Sequence, residues 1–262
     1  MFFLLLFTCI EPKNVAILIN TSKDYFNYRH SSNVFLFRKL LLDSGFKEED
    51  ILIAMQDNAI QDRRNIYPNR YYFDKNKYDQ LEEIKIDLLS TNKLLNLLRC
   101  NHEKLYALDK ESNVFLYICG HGGDEFIKIL DREFLHAKDL MTGLNYLAFA
   151  VKKIFLILDT CQAETLVYKN KLPKNVFVLA SSKKGEPSIA IKGNRNVGCT
   201  VIDSFPHTFY IKFKKINNMD VSIEEFTSTF TVDEVMSNIV LMKKSSNWFL
   251  GEFFTSNDFV GN

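Results

Sequence analysis

Short runs of consecutive apolar residues punctuate the chain: Val15–Ile19 (VAILI), Ile51–Met55 (ILIAM), Val114–Cys119 (VFLYIC), Ile154–Leu158 (IFLIL) and Val176–Ala180 (VFVLA). Runs of this length without polar alternation predict strands buried on both faces. Between them the apolar period lengthens toward that of a helix. Ser31 or Ser32 can cap a helix over Asn33–Ser44, which places Phe35, Leu36, Leu40 and Leu41 on one face and stops at Gly45. Thr91–Leu98 and Ala137–Tyr146 read as two more helices. Phe126–Leu130 and Glu133–Leu135 read as a hairpin around Asp131-Arg132, and Asp57–Tyr72 as a long loop. Strand alternating with helix predicts an α/β fold: a mostly parallel sheet with helices on both faces. Beyond residue 200, Ser204-Phe-Pro206 opens a helix with proline at its first position. Ser222-Ile-Glu-Glu225 forms a capping-box pattern. This part reads as a C-terminal elaboration packed on a single domain spanning 13–262.

The 262 residues are 47% hydrophobic and 25% charged, ordinary for a globular chain. Lys+Arg 33 against Asp+Glu 32 leaves a net charge of +1 and no basic block, so nothing calls for a nucleic-acid partner. Five cysteines without a C-x-x-C pair indicate neither a disulfide framework nor a zinc ribbon. The 23 phenylalanines carry no functional meaning by themselves. Phe2–Ile10 is far short of the ~20 residues of a membrane helix. Residues 1–12 read as a short secretory signal, with Thr8 or Cys9 near its cleavage point, or equally as an N-terminal core strand. Asn20-Thr-Ser22, the only N-x-[ST] sequon, falls at a strand end and is expected to stay unmodified.

The chemistry gathers at two strand ends. Gly120, Gly122 and Gly123 surround His121 directly after VFLYIC, and IFLIL runs into Asp159-Thr160-Cys161-Gln162. Parallel sheets bind ligands beyond the carboxyl ends of their strands. His121 and Cys161 thereby share one sheet edge as a nucleophile–base pair. A helix expected just after Cys161 would favour the thiolate and supply donors for an oxyanion. Taken singly, Gly-His-Gly often marks a tight turn and a strand-end Cys an inert core residue; together they favour catalysis. No P-loop, G-x-S-x-G or H-E-x-x-H competes. Cys100/His102 and Cys119/His121 lack a further pair to complete a zinc site, so no metal and no cofactor is expected.

Asn27-Tyr-Arg-His30, Gly120-His-Gly-Gly123 and Asp159-Thr-Cys-Gln162 occur in this order. Together they resemble the legumain-like cysteine peptidases of the caspase clan. Within these, GHGG with DTCQ is closer to the catalytic subunits of glycosylphosphatidylinositol (GPI) transamidase than to legumain. The likeness extends through Phe126-Ile-Lys128, Leu179–Ser182 and Trp248–Phe254, over roughly residues 14–255.

The resemblance implies a caspase-like catalytic domain with Cys161 as nucleophile, His121 as general base and acid, and Asn27 orienting His121. It implies an oxyanion hole from the N–H groups of Gly122 and Cys161. Arg29, Asp159 and Ser181 or Ser182 would wall the pocket for the residue before the scissile bond, although Arg29 and His30 also read as loop anchors. The partners it implies are precursors with a C-terminal GPI signal, the GPI lipid and other transamidase subunits, in the endoplasmic reticulum lumen. The alternative is a stand-alone asparaginyl endopeptidase. Three features depart from the pattern. Asp87-Leu-Leu89 replaces an Asp-Tyr-Arg segment, a family cysteine near Gln61 is missing, and no C-terminal membrane helix is found. These touch a supporting loop and the mode of attachment to partners, and leave the dyad intact.

Overall fold

A computed structural model describes residues 14–56, 59–73, 78–80, 86–191, 193–243 and 248–254. The N-terminal segment 1–12 lies outside the described residues. In chain order the strands are β1 Val15–Asn20, β2 Ile51–Ala54, β3 Arg70–Tyr72, β4 Tyr78–Gln80, β5 Asn113–Cys119, β6 Gly122–Gly123, β7 Phe126–Ile129, β8 Glu133–His136, β9 Lys153–Asp159, β10 Val176–Ala180 and β11 Val240–Met242. The helices are α1 Tyr28–Asp43, α2 Thr91–Leu98, α3 Ala137–Ala150, α4 Ser204–Phe213, α5 Ile223–Ser228, α6 Val232–Val235 and α7 Gly251–Phe254.

The main sheet has the order β11-β10-β9-β5-β1-β2. Its five apolar-run strands are parallel, and β11 closes one edge antiparallel to β10. Alternate residues of each strand point to opposite faces. On one face Phe115, Tyr117, Phe155 and Phe177 meet α1, α4 and α7; on the other, Val114, Leu116, Ile154 and Leu156 meet α2 and α3. The abundant phenylalanine has its place on the first face. Phe37 of α1 packs at 5.7 Å from Phe115, 4.2 Å from Tyr117 and 5.1 Å from Phe209, centroid to centroid. Burying one such ring contributes roughly 1.5–3 kcal/mol.

Several boundaries differ from the sequence reading. The first helix begins at Tyr28, with Asn27 at the cap position, so Ser31 and Ser32 lie buried inside it. Neither serine serves as its cap, and Ser31 instead accepts a bond from the Asn20 side chain at 3.3 Å. Pro206 is the third residue of α4, not its first. That position is still compatible with proline, because the first-turn N–H groups have no helical partner. The long loop ends in β3, which pairs with β4. β11 lies in the apolar run Ile239–Met242, which the sequence reading did not assign to a strand. The 126–136 hairpin forms as read, with Leu130 and Asp131 both left-handed (φ 53° and 59°) at its turn.

Register sets the site. Asn20 pairs with Cys119, Cys119 with Asp159, and Leu158 with Ala180. The residues next along each strand, Thr21, Gly120-His121, Thr160-Cys161 and Ser181-Ser182, therefore emerge side by side at one sheet edge.

Candidate active site

The loop after β5 turns at Gly120, where φ is 147° and a Cβ would stand 2.0 Å from Thr21 Oγ1. Only glycine fits that conformation and that gap. His121 comes next, half-buried. Its Nε2 lies 2.9 Å from Asn27 Oδ1. The Asn27 amide nitrogen donates to the Lys23 carbonyl at 2.7 Å, which fixes the orientation of the side chain. Asn27 thus does not cap α1 with its side chain; it reaches across to the imidazole. Burial, then the nearby Arg29 charge, holds the His121 pKa below its ordinary value, so the ring is a neutral base near pH 7.

Gly122 brings this loop against Cys161. A Cβ there would lie 2.6 Å from Thr160 Oγ1 and 2.8 Å from the Cys161 carbonyl oxygen. The structure therefore places the GHGG turn and Cys161 in direct apposition. The segment after Cys161 is not the expected helix. Gln162 is left-handed (φ 54°), and Ala163–Leu166 form a single 3-10 turn before the chain extends at Val167. The helix-dipole activation expected of the thiol falls with it. Instead the loop is tied by local bonds. Gln162 N–H donates to Glu186 O at 2.9 Å, and Gly185 N–H donates to Gln162 Oε1 at 3.1 Å. Ser182 donates to Thr160 O at 2.8 Å and accepts from Ala163 N–H at 3.1 Å. With its hydroxyl engaged twice by backbone, Ser182 braces the Cys161 loop. Ser181 is fully buried, and its carbonyl accepts from the Ser237 hydroxyl at 2.6 Å.

Behind His121 lies a buried polar cluster that sequence reasoning only half assembled. Asp203 accepts from Arg29 Nε at 3.1 Å and from Asn33 Nδ2 at 2.6 Å, with His30 Nε2 at 3.6 Å. His30 also meets Ser22 Oγ at 2.8 Å, and its ring stands edge-on to His121 at 5.2 Å. Burial pushes the His30 pKa well below its usual value, so it stays neutral. Asp159 accepts from Tyr117 OH at 2.8 Å and Ser188 OH at 3.0 Å. Burial, then the charge of Asp203, lifts its pKa to about 7. Burial also raises the pKa of Asp203, but Arg29 and Asn33 oppose that rise. The charge of the pair thus settles on Asp203, beside the guanidinium, and Asp159 keeps its proton longer.

Asp203 went unread in the sequence because an acid just before Ser-Phe-Pro looks like a helix cap. It occupies that position but makes no side-chain cap bond. The only available signal was an unused acid at a helix start. Among the described residues no group of His, Cys, Asp and Glu could hold a metal ion.

A central sheet of this order, with a histidine loop and a cysteine loop at adjacent strand ends, defines the caspase-like α/β class. The fold matches caspase-1 from Spodoptera frugiperda with a TM-score of 0.56 at 10% identity, over 94% of this chain and 92% of that one. At that identity the likeness concerns the fold alone. The peptidase C13 family model matches residues 14–240. The chain belongs to the peptidase C13 family. It is similar to the GPI-anchor transamidase of Saccharomyces cerevisiae, 28% identical over 244 residues (87% of this chain, 59% of the relative). It is also similar to that of Schizosaccharomyces pombe, 31% over 209 residues (74% and 55%), and to that of Bos taurus, 28% over 215 residues (77% and 54%). The chain thus spans between half and two thirds of the length of these relatives.

Proposed function

We propose that this protein is the catalytic subunit of a GPI transamidase, with Cys161 as nucleophile and His121 as its general base and acid. The observation that carries the reading is the apposition of the His121 loop to Cys161 through Gly122, with His121 held by Asn27. The names of the relatives point the same way.

In this reading His121 takes the proton of Cys161. Sγ attacks the carbonyl at the cleavage site of a precursor's C-terminal GPI signal. The N–H groups of Gly122 and Cys161 would receive the oxyanion. The Cys161 N–H makes no backbone hydrogen bond among the described residues, which suits that task. His121 then protonates the departing signal, leaving a thioester. The amine of the GPI ethanolamine attacks the thioester carbonyl, the C–S bond breaks, and Cys161 recovers its proton. Arg29 would face the residue before the scissile bond, while Asp159, Ser181 and Asp203 are buried and would act from behind it, Asp203 through its ion pair with Arg29. No helix among the described residues is long and apolar enough to cross a membrane. The reading sets the protein in an endoplasmic-reticulum complex with other transamidase subunits.

The test is mass spectrometry of the cleaved precursor's C-terminus, using the intact complex with and without hydroxylamine. A hydroxamate in the treated sample supports the transfer reading. A free carboxylate in both samples, with Cys161 active, overturns it in favour of the asparaginyl endopeptidase.

A further inference from the structure

The incoming amine of a transfer reaction must occupy the place the departed amine left, because His121 protonates one and deprotonates the other. That place lies on the His121 side of Cys161. Two elements bond to the His121 loop, the Lys23–Asn27 segment through the Asn27 side chain and the β7–β8 hairpin through the backbone, and the hairpin offers a paired cation and anion. Lys128 N–H donates to His121 O at 2.8 Å, and Leu130 N–H donates to Thr21 O at 2.8 Å, so β7 is bonded directly to the histidine loop. Ile127 and Ile129 of β7 are buried, while Lys128 alternates outward. Lys128 Nζ pairs with Asp131 Oδ1 at 2.9 Å, and both side chains are about a third exposed. Asp131 is carried there by the left-handed turn at Leu130-Asp131. The charges of both residues are felt at His121, and that of Lys23 is felt at Asp131.

The pair has little structural purpose of its own. An exposed ion pair three residues apart contributes little to stability and opens readily. Opened, it presents one cation and one anion beside the catalytic base. The complementary ligand is a zwitterion whose ammonium and anionic group are a few bonds apart. An amine carried two carbons from a phosphate has that form.

We infer that Lys128 and Asp131 form the acceptor subsite, with Asp131 receiving the ammonium and Lys128 the adjoining phosphate of an ethanolamine phosphate group. This rests on the transfer reading above. The ammonium first loses one proton to solvent. The free amine then forms a C–N bond to the thioester carbonyl, the C–S bond breaks, and the second amine proton passes through His121 to the Cys161 sulfur. The products are an amide and a thiol. Charge-assisted hydrogen bonds to both ends hold the amine near the thioester, which raises its effective concentration over water.

The experiment offers three nucleophiles at equal concentration to the intact complex acting on a precursor: O-phosphoethanolamine, ethanolamine and hydroxylamine. Mass spectrometry then reads the ratios of the C-terminal adducts. Wild-type protein is expected to favour phosphoethanolamine over ethanolamine by about tenfold, the equivalent of one good charged contact. Lys128→Met should bring that ratio near one, and Lys128→Arg should restore it. Asp131→Asn, which a left-handed position tolerates, should lower both ethanolamine adducts relative to the hydroxamate. Unchanged ratios in Lys128→Met and Asp131→Asn overturn the subsite, and so does a loss of all three adducts in parallel, which would make the pair a brace for His121. A wild-type protein that yields no hydroxamate fails the transfer reading itself, a result distinct from either.

Discussion

Asn27 Oδ1 lies 2.9 Å from His121 Nε2, while Asn27 Nδ2 donates to the Lys23 carbonyl. Because the amide nitrogen is committed as a donor, Oδ1 faces the ring as an acceptor and Nε2 must carry the proton. The lone pair left free to accept a proton is therefore on Nδ1, the nitrogen that would serve Cys161 in the proposed dyad. A neutral amide selects this tautomer without adding charge, which leaves the pKa of His121 depressed by burial and Arg29.

Asn27→Asp places a carboxylate against that ring. An anion there favours imidazolium, so the acid limb of kcat/KM should move to higher pH. Asn27→Ala should leave the limb near its original position and lower kcat. Its loss should be smaller than the roughly 10²–10⁴-fold that a general acid–base group supplies. A pH–rate series on the three proteins separates the two effects, and an unmoved limb in Asn27→Asp would remove Asn27 from the role.

Thiol reactivity should single out Cys161. Burial pushes the Cys119 thiol well up, that of Cys199 to about 11, and raises that of Cys100. Those three remain protonated and slow near pH 7. Iodoacetamide at neutral pH should label Cys161 first, and His121→Ala should slow that labelling without speeding the others. A peptide-resolved time course by mass spectrometry measures this, and labelling of Cys199 ahead of Cys161 would contradict the dyad.

Asp159 predicts a pH dependence of stability. Its pKa is about 7 in the folded protein against roughly 3.9 in an unfolded chain. Between those values the native state binds more protons than the unfolded one, so the Asp159 contribution declines as pH rises from about 4 to 7, by at most about 1.4 kcal/mol per pH unit. The neutral histidines His30 and His121 act in the opposite sense below their ordinary pKa. The difference between wild type and Asp159→Asn isolates the carboxyl. Wild type should lose Tm relative to the variant as pH goes from 5 to 7, and parallel curves would refute the shift.

Gly122→Ala should disable the site while the fold survives. The added methyl would meet Thr160 Oγ1 at 2.6 Å and the Cys161 carbonyl at 2.8 Å, so the His121 and Cys161 loops must part. A displacement of about 1 Å at reacting groups can cost roughly 10² in rate. Near-normal kcat with an unchanged Tm would mean that the loops tolerate separation.

Much of this site was legible along the chain because strand ends are local features. Apolar runs without alternation announced β1, β2, β5, β9 and β10, and a parallel sheet sends the residues after each run to one edge. His121 and Cys161 were thereby expected at one sheet edge, where the register puts the loops that carry them. The 126–136 hairpin, too, needed only its own alternation and turn.

Other features depended on residues far apart in sequence. Asn27 was assigned to His121 by family likeness, but the bond joins residues 94 positions apart. Asp203 meets Asn33 across 170 positions, and no local pattern distinguishes a buried acid from a helix cap. α1 starts at Tyr28 because Ser31 and Ser32 are buried in packing that a cap rule does not see. β11 sits in a short apolar run, but that it pairs antiparallel with β10 at the sheet edge is a long-range matter. The helix expected after Cys161 gives way to a bonded loop, since Ser182, Glu186 and Gly185 come from another strand end to hold it. The chain itself determined which strands form and which edge carries the reactive groups, through burial periodicity that acts over a few residues. Only the tertiary structure decided the tautomer of His121, the ionisation of the Asp159–Asp203 pair and the shape of the Cys161 loop. Each of these depends on desolvation and on partners that folding brings together.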